Sequence, residues 1–172
     1  RQSLDSVVSD RLFGRIDKLF EAMGWRVIEL KYGKLLRQAF MEQGGDALMG
    51  WIDSCPNSLY SALTYKGGAS WREHLKHDLG DTAGIKPLLD SHDDIGLQEL
   101  MTNLAGNDLE TVLDAFQAVT DDVPTCFISY TVKGFGLPFA GHKDNHSGLM
   151  NLDQMAEFKT SMGIPDGAEW EP

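Results

Sequence analysis

The sequence predicts an α/β fold in which a wound, mostly parallel sheet carries helices on both faces. Two short segments, Trp25 to Lys31 and Thr125 to Val132, have the composition of strands, and helical patterns precede and follow each of them. Parallel strands need long crossover connections, which helices usually provide, so this alternation favours an open wound sheet. The 172 residues and 19.0 kDa correspond to one domain of ordinary size or to one large piece of a longer protein.

The first third of the chain reads as helix, strand and helix. Apolar residues recur at helical spacing over residues 12–23, and Gly24 supplies the stop expected just past a helix end. After the first strand, the pattern over residues 34–53 is helical again, with a break predicted at Gly44 and Gly45. We expect these helices to cross over the sheet.

The middle of the chain is less regular. Tyr60 to Lys66 is predicted as a short edge strand, residues 69–78 as a helix, and residues 80–103 as short helices separated by Gly and Pro. Asp108, a favoured N-cap residue, opens the clearest helix. This helix places apolar residues on one face: Leu109, Val112, Leu113, Phe116 and Val119.

The second strand leads into the segment where a ligand is expected. Thr125 to Val132 is nearly continuously apolar, which is typical of a central strand buried on both faces. Residues 133–151 then form a glycine-containing loop without helical periodicity, and residues 152–162 a closing amphipathic helix. Long loops in compact domains are usually functional or disordered, and ligands of wound sheets bind beyond the carboxyl ends of strands.

Composition excludes several kinds of partner. The chain has 15 Lys and Arg against 26 Asp and Glu, and its net charge of −11 repels nucleic-acid phosphates and anionic lipid surfaces. No apolar run approaches the roughly 18 residues of a membrane-spanning helix. Cys55 and Cys126 lie far apart and are expected to be free thiols. We therefore expect a cytoplasmic globular protein that binds neither nucleic acid nor membrane.

The loop contains the residues that could carry chemistry. It has two imidazoles and one ammonium within five residues, and its glycines would let backbone N–H groups approach an anion. This pattern indicates recognition of a phosphate or carboxylate, with a histidine available for proton transfer. A solvated surface loop is the alternative, and a metal site would need ligands that the sequence does not identify. The residues concerned are Gly134, Gly136, Gly141, His142, Lys143, Asp144, Asn145 and His146.

Three stretches, in this order and spacing, resemble a known family. They read R-Q-S-L-D, F-E-A-M-G-W-R-V-I-E-L and I-S-Y-T-V-K-G-F-G-L-P-F-A-G-H-K-D-N-H-S-G-L-M-N. Together they are similar to the homodimeric decarboxylating (first) component of pyruvate dehydrogenase complexes, in the transketolase superfamily. The resemblance implies that residues 1–172 are the second half of a thiamin diphosphate-binding domain, on its diphosphate side, and that the chain is a single-domain fragment.

The resemblance also implies roles for individual residues. His146 matches the loop histidine of the family and is the expected catalytic residue, while the backbone carbonyl of Gln2 is expected to bind Mg²⁺. A magnesium-binding asparagine is expected just before Arg1, and a G-D-G segment further upstream. Asn107 stands where the family commonly has histidine. The expected cofactor-binding residues are Lys133, Gly134, His142, Lys143 and Asn145.

The function implied by the resemblance is decarboxylation of a 2-oxo acid with thiamin diphosphate and Mg²⁺. The acyl unit would pass to a lipoyl group on the acyltransferase of the complex, and the enzyme would be a homodimer. Two alternatives stay open: a transketolase-like transferase that uses the same cofactor, and a non-catalytic anion-binding or assembly domain. The fragment alone is expected to be inactive.

Overall fold

The sheet consists of two parallel strands in a computed structural model that describes residues 13–170. Strand β1 (Arg26–Leu30) follows helix α1 (Phe13–Ala22), and strand β2 (Thr125–Ser129) follows helix α8 (Leu109–Gln117). Between them lie α2 (Lys34–Phe40), α3 (Gly45–Ser54), α4 (Asn57–Lys66), α5 (Gly68–Leu79), α6 (Ile85–Asp90), α7 (Asp94–Thr102) and a 3-10 turn (Ala105–Asn107). A second 3-10 turn (Lys143–His146) and helix α9 (Leu152–Ser161) follow β2. The α/β class predicted from the sequence is confirmed.

The two strands pair from Arg26 with Thr125 to Leu30 with Ser129, and one helix contacts each face of the pair. Ile28 and Phe127 are in register and share one face, on which Phe116 of α8 stacks against Phe127 at 4.4 Å between ring centroids. Glu29 points to the opposite face, where its carboxyl hydrogen-bonds that of Asp17 in α1. This hydrogen bond and burial raise the pKa of Glu29.

Strand β2 is shorter and less buried than the sequence predicts. Thr125 to Ile128 are half-buried and Ser129 is exposed, so the predicted burial on both faces does not hold within the described residues. The Tyr130 N–H still donates to the Leu30 carbonyl at 2.9 Å, but the Tyr130 carbonyl accepts from the Gly106 N–H at 2.8 Å. The Val132 N–H donates to Oδ1 of Asn107 at 2.7 Å. After Tyr130, the segment that follows β2 therefore separates from β1 and pairs with the 3-10 turn before α8.

The apolar core lies in the crossover rather than around the sheet. Of the buried apolar residues in the described chain, all except Val132 fall between Leu36 and Ala105. Trp71 sits at the centre, with its ring centroid 4.9 Å from that of Tyr60 and 6.0 Å from that of Trp51. The helices between the two strands thus form a packed unit, which we call the helical unit (residues 33–105).

One element of the helical unit differs from the prediction. Residues 60–66, predicted as an edge strand, belong to helix α4, because Tyr60, Leu63 and Thr64 are buried together at helical spacing. A strand would have alternated these side chains between two faces. The predicted break at Gly44 and the helix over residues 69–78 are confirmed, the latter as α5.

The cysteines and the helices also agree with the sequence. Cys55 and Cys126 are both free thiols, and burial raises the pKa of Cys55 to about 11. No helix within residues 13–170 is long and apolar enough to cross a membrane. Gln2, the expected magnesium ligand, lies outside the described residues.

Candidate active site

The loop that follows β2 packs against helix α4. Gly141 has a positive φ of 76°, and a Cβ there would lie 2.5 Å from the carbonyl oxygen of Ser61 and 2.9 Å from Cβ of Thr64. Only glycine lets the loop backbone approach the helix so closely. The helix at residues 57–66, part of which the sequence pattern assigns to a strand, therefore supports the loop.

His142 is built into the structure of the loop. Its ring centroid lies 4.5 Å from that of Tyr65 and 5.9 Å from that of Phe139, and its side chain is 25% exposed. Its Nδ1 atom accepts a hydrogen bond from the Asp144 N–H at 3.1 Å and caps the 3-10 turn. Because Nδ1 is an acceptor, this geometry assigns the ring proton of the neutral imidazole to Nε2.

Asn145 joins distant parts of the loop. Its side-chain Nδ2 donates to the carbonyl of Phe139 at 2.6 Å and to that of Lys133 at 3.3 Å. Gly134 has a φ of 71°, and a Cβ there would overlap Nδ2 of Asn145. The amide therefore occupies space that only a glycine at position 134 leaves free.

His146 and Lys143 lie on the outer side of the loop. His146 is exposed at the end of the 3-10 turn, and within residues 13–170 its imidazole has no hydrogen-bonding or ion-pair partner. Nζ of Lys143 lies 3.2 Å from Oδ1 of Asp144, in an exposed ion pair that neutralises part of the positive patch expected from the sequence. One unengaged imidazole and one ammonium are thus presented to solvent.

Two clefts flank the loop. One of about 360 Å³ lies beside the 3-10 turn and is mainly apolar, with Leu137, Phe139, Asn145, Gly148, Leu149, Met150 and Met155 around it. The other, of about 490 Å³, lies between the start of the loop and helices α4 and α7. Asn145, the neighbour of His146 in sequence, thus borders a cleft that suits a small apolar group.

The residues present match an anionic cofactor only in part. Three glycines were expected to expose N–H groups to an anion. Gly134 packs against the side chain of Asn145 and Gly141 against helix α4, while Gly136, with a φ of 80°, faces open space. Lys143 and His146 can reach an anion from the rim. The described residues contain no group of three or more His, Cys, Asp or Glu able to hold a metal ion. Within residues 13–170, the groups of this loop that are open to an anion are thus Lys143, His146 and the backbone at Gly136.

A polar cavity of about 580 Å³ beyond the strand ends was missed from the sequence. Lys31 follows β1, its Nζ lies 2.5 Å from Oδ1 of Asp53, and it stands 5.3 Å from the ring centroids of Tyr32 and Tyr130. Burial alone would raise the pKa of Asp53, but hydrogen bonds from Lys31 and Tyr32 lower it. The sequence could have indicated this cavity, because Lys31 and Tyr130 directly follow the two strands and so lie at the same edge of the sheet.

Comparison with known proteins supports the resemblance seen in the sequence. The chain is 26% identical over 171 residues to the pyruvate dehydrogenase E1 component of Corynebacterium glutamicum, 25% to that of Cupriavidus necator and 24% to that of Escherichia coli. Each match covers 95% of this chain but only 18% or 19% of the relative. No model of a protein family matches the chain. The chain thus spans about a fifth of the length of these relatives.

The matches extend through the strand pair, the helical unit and the loop of residues 133–151, which we call the histidine loop. Several relatives agree in name across nearly the whole chain, although identity is low. The chain is therefore similar to pyruvate dehydrogenase E1 components over nearly its whole length.

Proposed function

We propose that this chain is the histidine-loop part of a thiamin diphosphate-dependent pyruvate dehydrogenase, which decarboxylates the 2-oxo acid and passes the acyl unit to a lipoyl group. The observation that carries the proposal is His146, an exposed and unengaged imidazole on a loop held in place beyond the end of a parallel strand. In wound sheets, this is the edge where ligands bind.

The loop residues divide into two groups. Lys143 and His146 face solvent, where an ammonium and an imidazole can hold the carboxylate of a 2-oxo acid. His146 can also transfer a proton to the keto oxygen of the substrate as charge develops there. Lys133, Gly134, His142 and Asn145 complete the cofactor side of the loop by fixing its backbone.

The cofactor and metal would be held largely by residues outside those described. We propose that the carbonyl of Gln2 is one magnesium ligand and that the remaining ligands come from other parts of the protein. When bound, thiamin diphosphate supplies the carbon nucleophile and the electron sink for decarboxylation. The mainly apolar cleft beside the 3-10 turn would exclude water from the reacting group.

The proposed partners follow from the same family. The enzyme would act as a homodimer, and the acyl unit would be accepted by the lipoyl group of the acyltransferase in the complex. An exposed loop suits this transfer, because a lipoyl arm must reach the reacting carbon from outside.

The test is carbon dioxide release from pyruvate by the full-length protein with thiamin diphosphate and Mg²⁺. His146→Ala should lower the rate by about ten- to ten-thousandfold, the usual range for one proton-transfer group, with an unchanged circular dichroism spectrum. His77→Ala is the matched control, because His77 is exposed on α5, outside the loop. Its rate should equal that of the wild type.

Two results would count against the proposal. A loaded wild-type protein that releases no carbon dioxide would refute the decarboxylase function itself. A fully active His146→Ala variant would keep that function but remove the histidine from it. Acylation of a lipoyl domain, measured beside decarboxylation with an artificial electron acceptor, tests the transfer step separately.

A further inference from the structure

We infer that Asn145 is the positioning residue of the histidine loop. Its carboxamide holds the loop closed and thereby fixes His146 at the rim of the site. The inference rests on the proposed function, because it assigns to Asn145 a task in the reaction of His146.

The first support is the set of groups that the carboxamide joins. Lys133 begins the loop, Phe139 lies in its middle and Asn145 near its end, and both carbonyls accept from the same Nδ2 atom. The Lys133 carbonyl also accepts from the Gly141 N–H at 3.2 Å. One side chain thus connects three points of the loop, which otherwise packs against α4 at Gly141.

The second support is the position of His146 within this network. The Asn145 N–H donates to the His142 carbonyl at 3.1 Å, and the N–H groups of Ser147 and Gly148 donate to the Asp144 carbonyl at 3.1 and 2.7 Å. The backbone is therefore held immediately before and after His146. The imidazole itself is left to act, since none of these bonds uses it.

The chemistry of the position favours asparagine over its nearest analogues. Both partners of the side chain are carbonyl oxygens, which need a donor with two hydrogens. Aspartate has the same shape but offers only acceptors, so that it would repel both carbonyls. The substitution Asn145→Gln would lengthen a side chain that already fills the space left by Gly134.

The test is a double-mutant cycle in the full-length, cofactor-loaded protein. Asn145→Asp should lower kcat for pyruvate decarboxylation by about ten- to hundredfold, far more than it changes KM, because a misplaced group loses rate. In the His146→Ala background the same substitution should cost less than about twofold. Gly134→Ala, which displaces the amide from the other side, should reproduce the Asn145→Asp profile.

Asn151→Ala serves as the matched control. Asn151 also bonds a backbone N–H through its side chain, as the N-cap of α9, but it lies outside the network of Asn145. We expect this variant to keep the wild-type rate. Limited proteolysis of residues 133–148 should show faster cleavage in Asn145→Asp and no change in Asn151→Ala.

Each outcome decides the inference. An equal loss of rate with and without His146 would show a merely structural role, and an unchanged rate in Asn145→Asp would show no role, so that either result overturns it. Both results leave the proposed function standing, because the wild type still decarboxylates. A wild-type protein without decarboxylation refutes the proposed function and the inference together, even where proteolysis shows that Asn145 closes the loop.

Discussion

His142 and His146 stand four residues apart in sequence but differ in what surrounds them. The ring of His142 is packed between Tyr65 and Phe139 and caps a turn, whereas the ring of His146 meets solvent. His142 therefore has only Nε2 left for a substrate, whereas neither ring nitrogen of His146 has a partner within the described residues. The geometry thus separates a supporting histidine from an available one.

This difference yields a prediction at residue 142. His142→Ala should lower the decarboxylation rate less than His146→Ala does, because it removes a cap and ring contacts but leaves the exposed imidazole. His142→Asn should be closer to the wild type, since its Oδ1 can still accept from the Asp144 N–H. Steady-state rates, with proteolysis of the loop as a second measurement, check both variants. A greater loss for His142→Ala, with both proteins folded, would assign the catalytic role to His142.

At the level of elements, Asp108 joins two helices. Its carboxylate accepts from the Lys34 N–H at 2.6 Å and from the Thr111 hydroxyl at 2.7 Å, and thus links the start of α2 to the start of α8. Thr111 in turn accepts from Arg37 at 2.8 Å. The N-cap that the sequence predicts for α8 is therefore also a contact between the helical unit and the elements around the strand pair (α1, β1, α8 and β2), which we call the sheet layer.

We expect Asp108→Ala to reduce the free energy of unfolding by about 1 kcal/mol, the usual cost of losing an N-cap. Burial would raise the pKa of Asp108, but hydrogen bonds from Lys34 and Thr111 outweigh it and lower the pKa. Because the pKa of Asp108 is lower in the folded state, its carboxylate stabilises the fold at pH values above its unfolded-state pKa of about 3.9. This contribution is lost as the pH falls through the folded-state pKa.

The pH dependence separates charge from shape. Asp108→Asn keeps an acceptor oxygen but no charge, and should lose less stability than the wild type between about pH 5 and acid pH. Urea unfolding of the chain at a series of pH values measures this. Asp122→Asn, at an exposed carboxylate, is the control. If Asp108→Asn and the wild type lose the same stability as the pH falls, the charge of Asp108 contributes nothing to the free energy of unfolding.

The sequence pattern predicted those elements that neighbouring residues determine. It failed for elements whose structure depends on contacts with residues far away in the sequence. Gly24 and Asp108 mark a helix end and a helix start through turn and cap chemistry, and both are confirmed. Residues 60–66 have a mixed pattern, and only burial against Trp71 and Met101 settles them as helix. Likewise, the loop was predicted from its glycines, but its support by α4 depends on residues about 80 positions apart.

At the scale of the whole molecule, burial is uneven. The helical unit holds nearly all of the buried apolar side chains in the described chain, while the sheet layer leaves large apolar groups in solvent. Leu19 is 59% exposed on α1 and Phe116 is 56% exposed on α8, on opposite sides of the strand pair. Exposed apolar surfaces of this kind are typical of contacts with further protein.

Hydrogen exchange should follow this division. We expect backbone amides of α5 and α7 to exchange slowly, and those of α1 and α8 to exchange faster, because opening the sheet layer exposes little buried surface. Mass spectrometry of the exchanging chain gives the comparison directly. Equal protection in α8 and α5 would show that the sheet layer is as stable as the helical unit.

Self-association is expected for the same reason. In isolation the 172-residue chain should form dimers or larger species, because two exposed helix faces and the strand edges are available to a second copy. Light scattering over a range of concentrations tests this. Leu113→Lys, on the exposed face of α8, should reduce association, whereas Lys86→Glu on α6 should not. A monomer at all concentrations would show that the chain is self-sufficient.

The parallel pairing of β1 with β2 has a consequence for the time course of folding. The paired residues are roughly 100 positions apart, and closing so long a loop in an unfolded chain is entropically costly. Contacts within the helical unit are closer in sequence, and once it forms it brings the ends of the crossover together. The strands should therefore meet last. During synthesis or refolding, their unpaired edges are open to other chains, so that the sheet is the point of greatest vulnerability to misassembly.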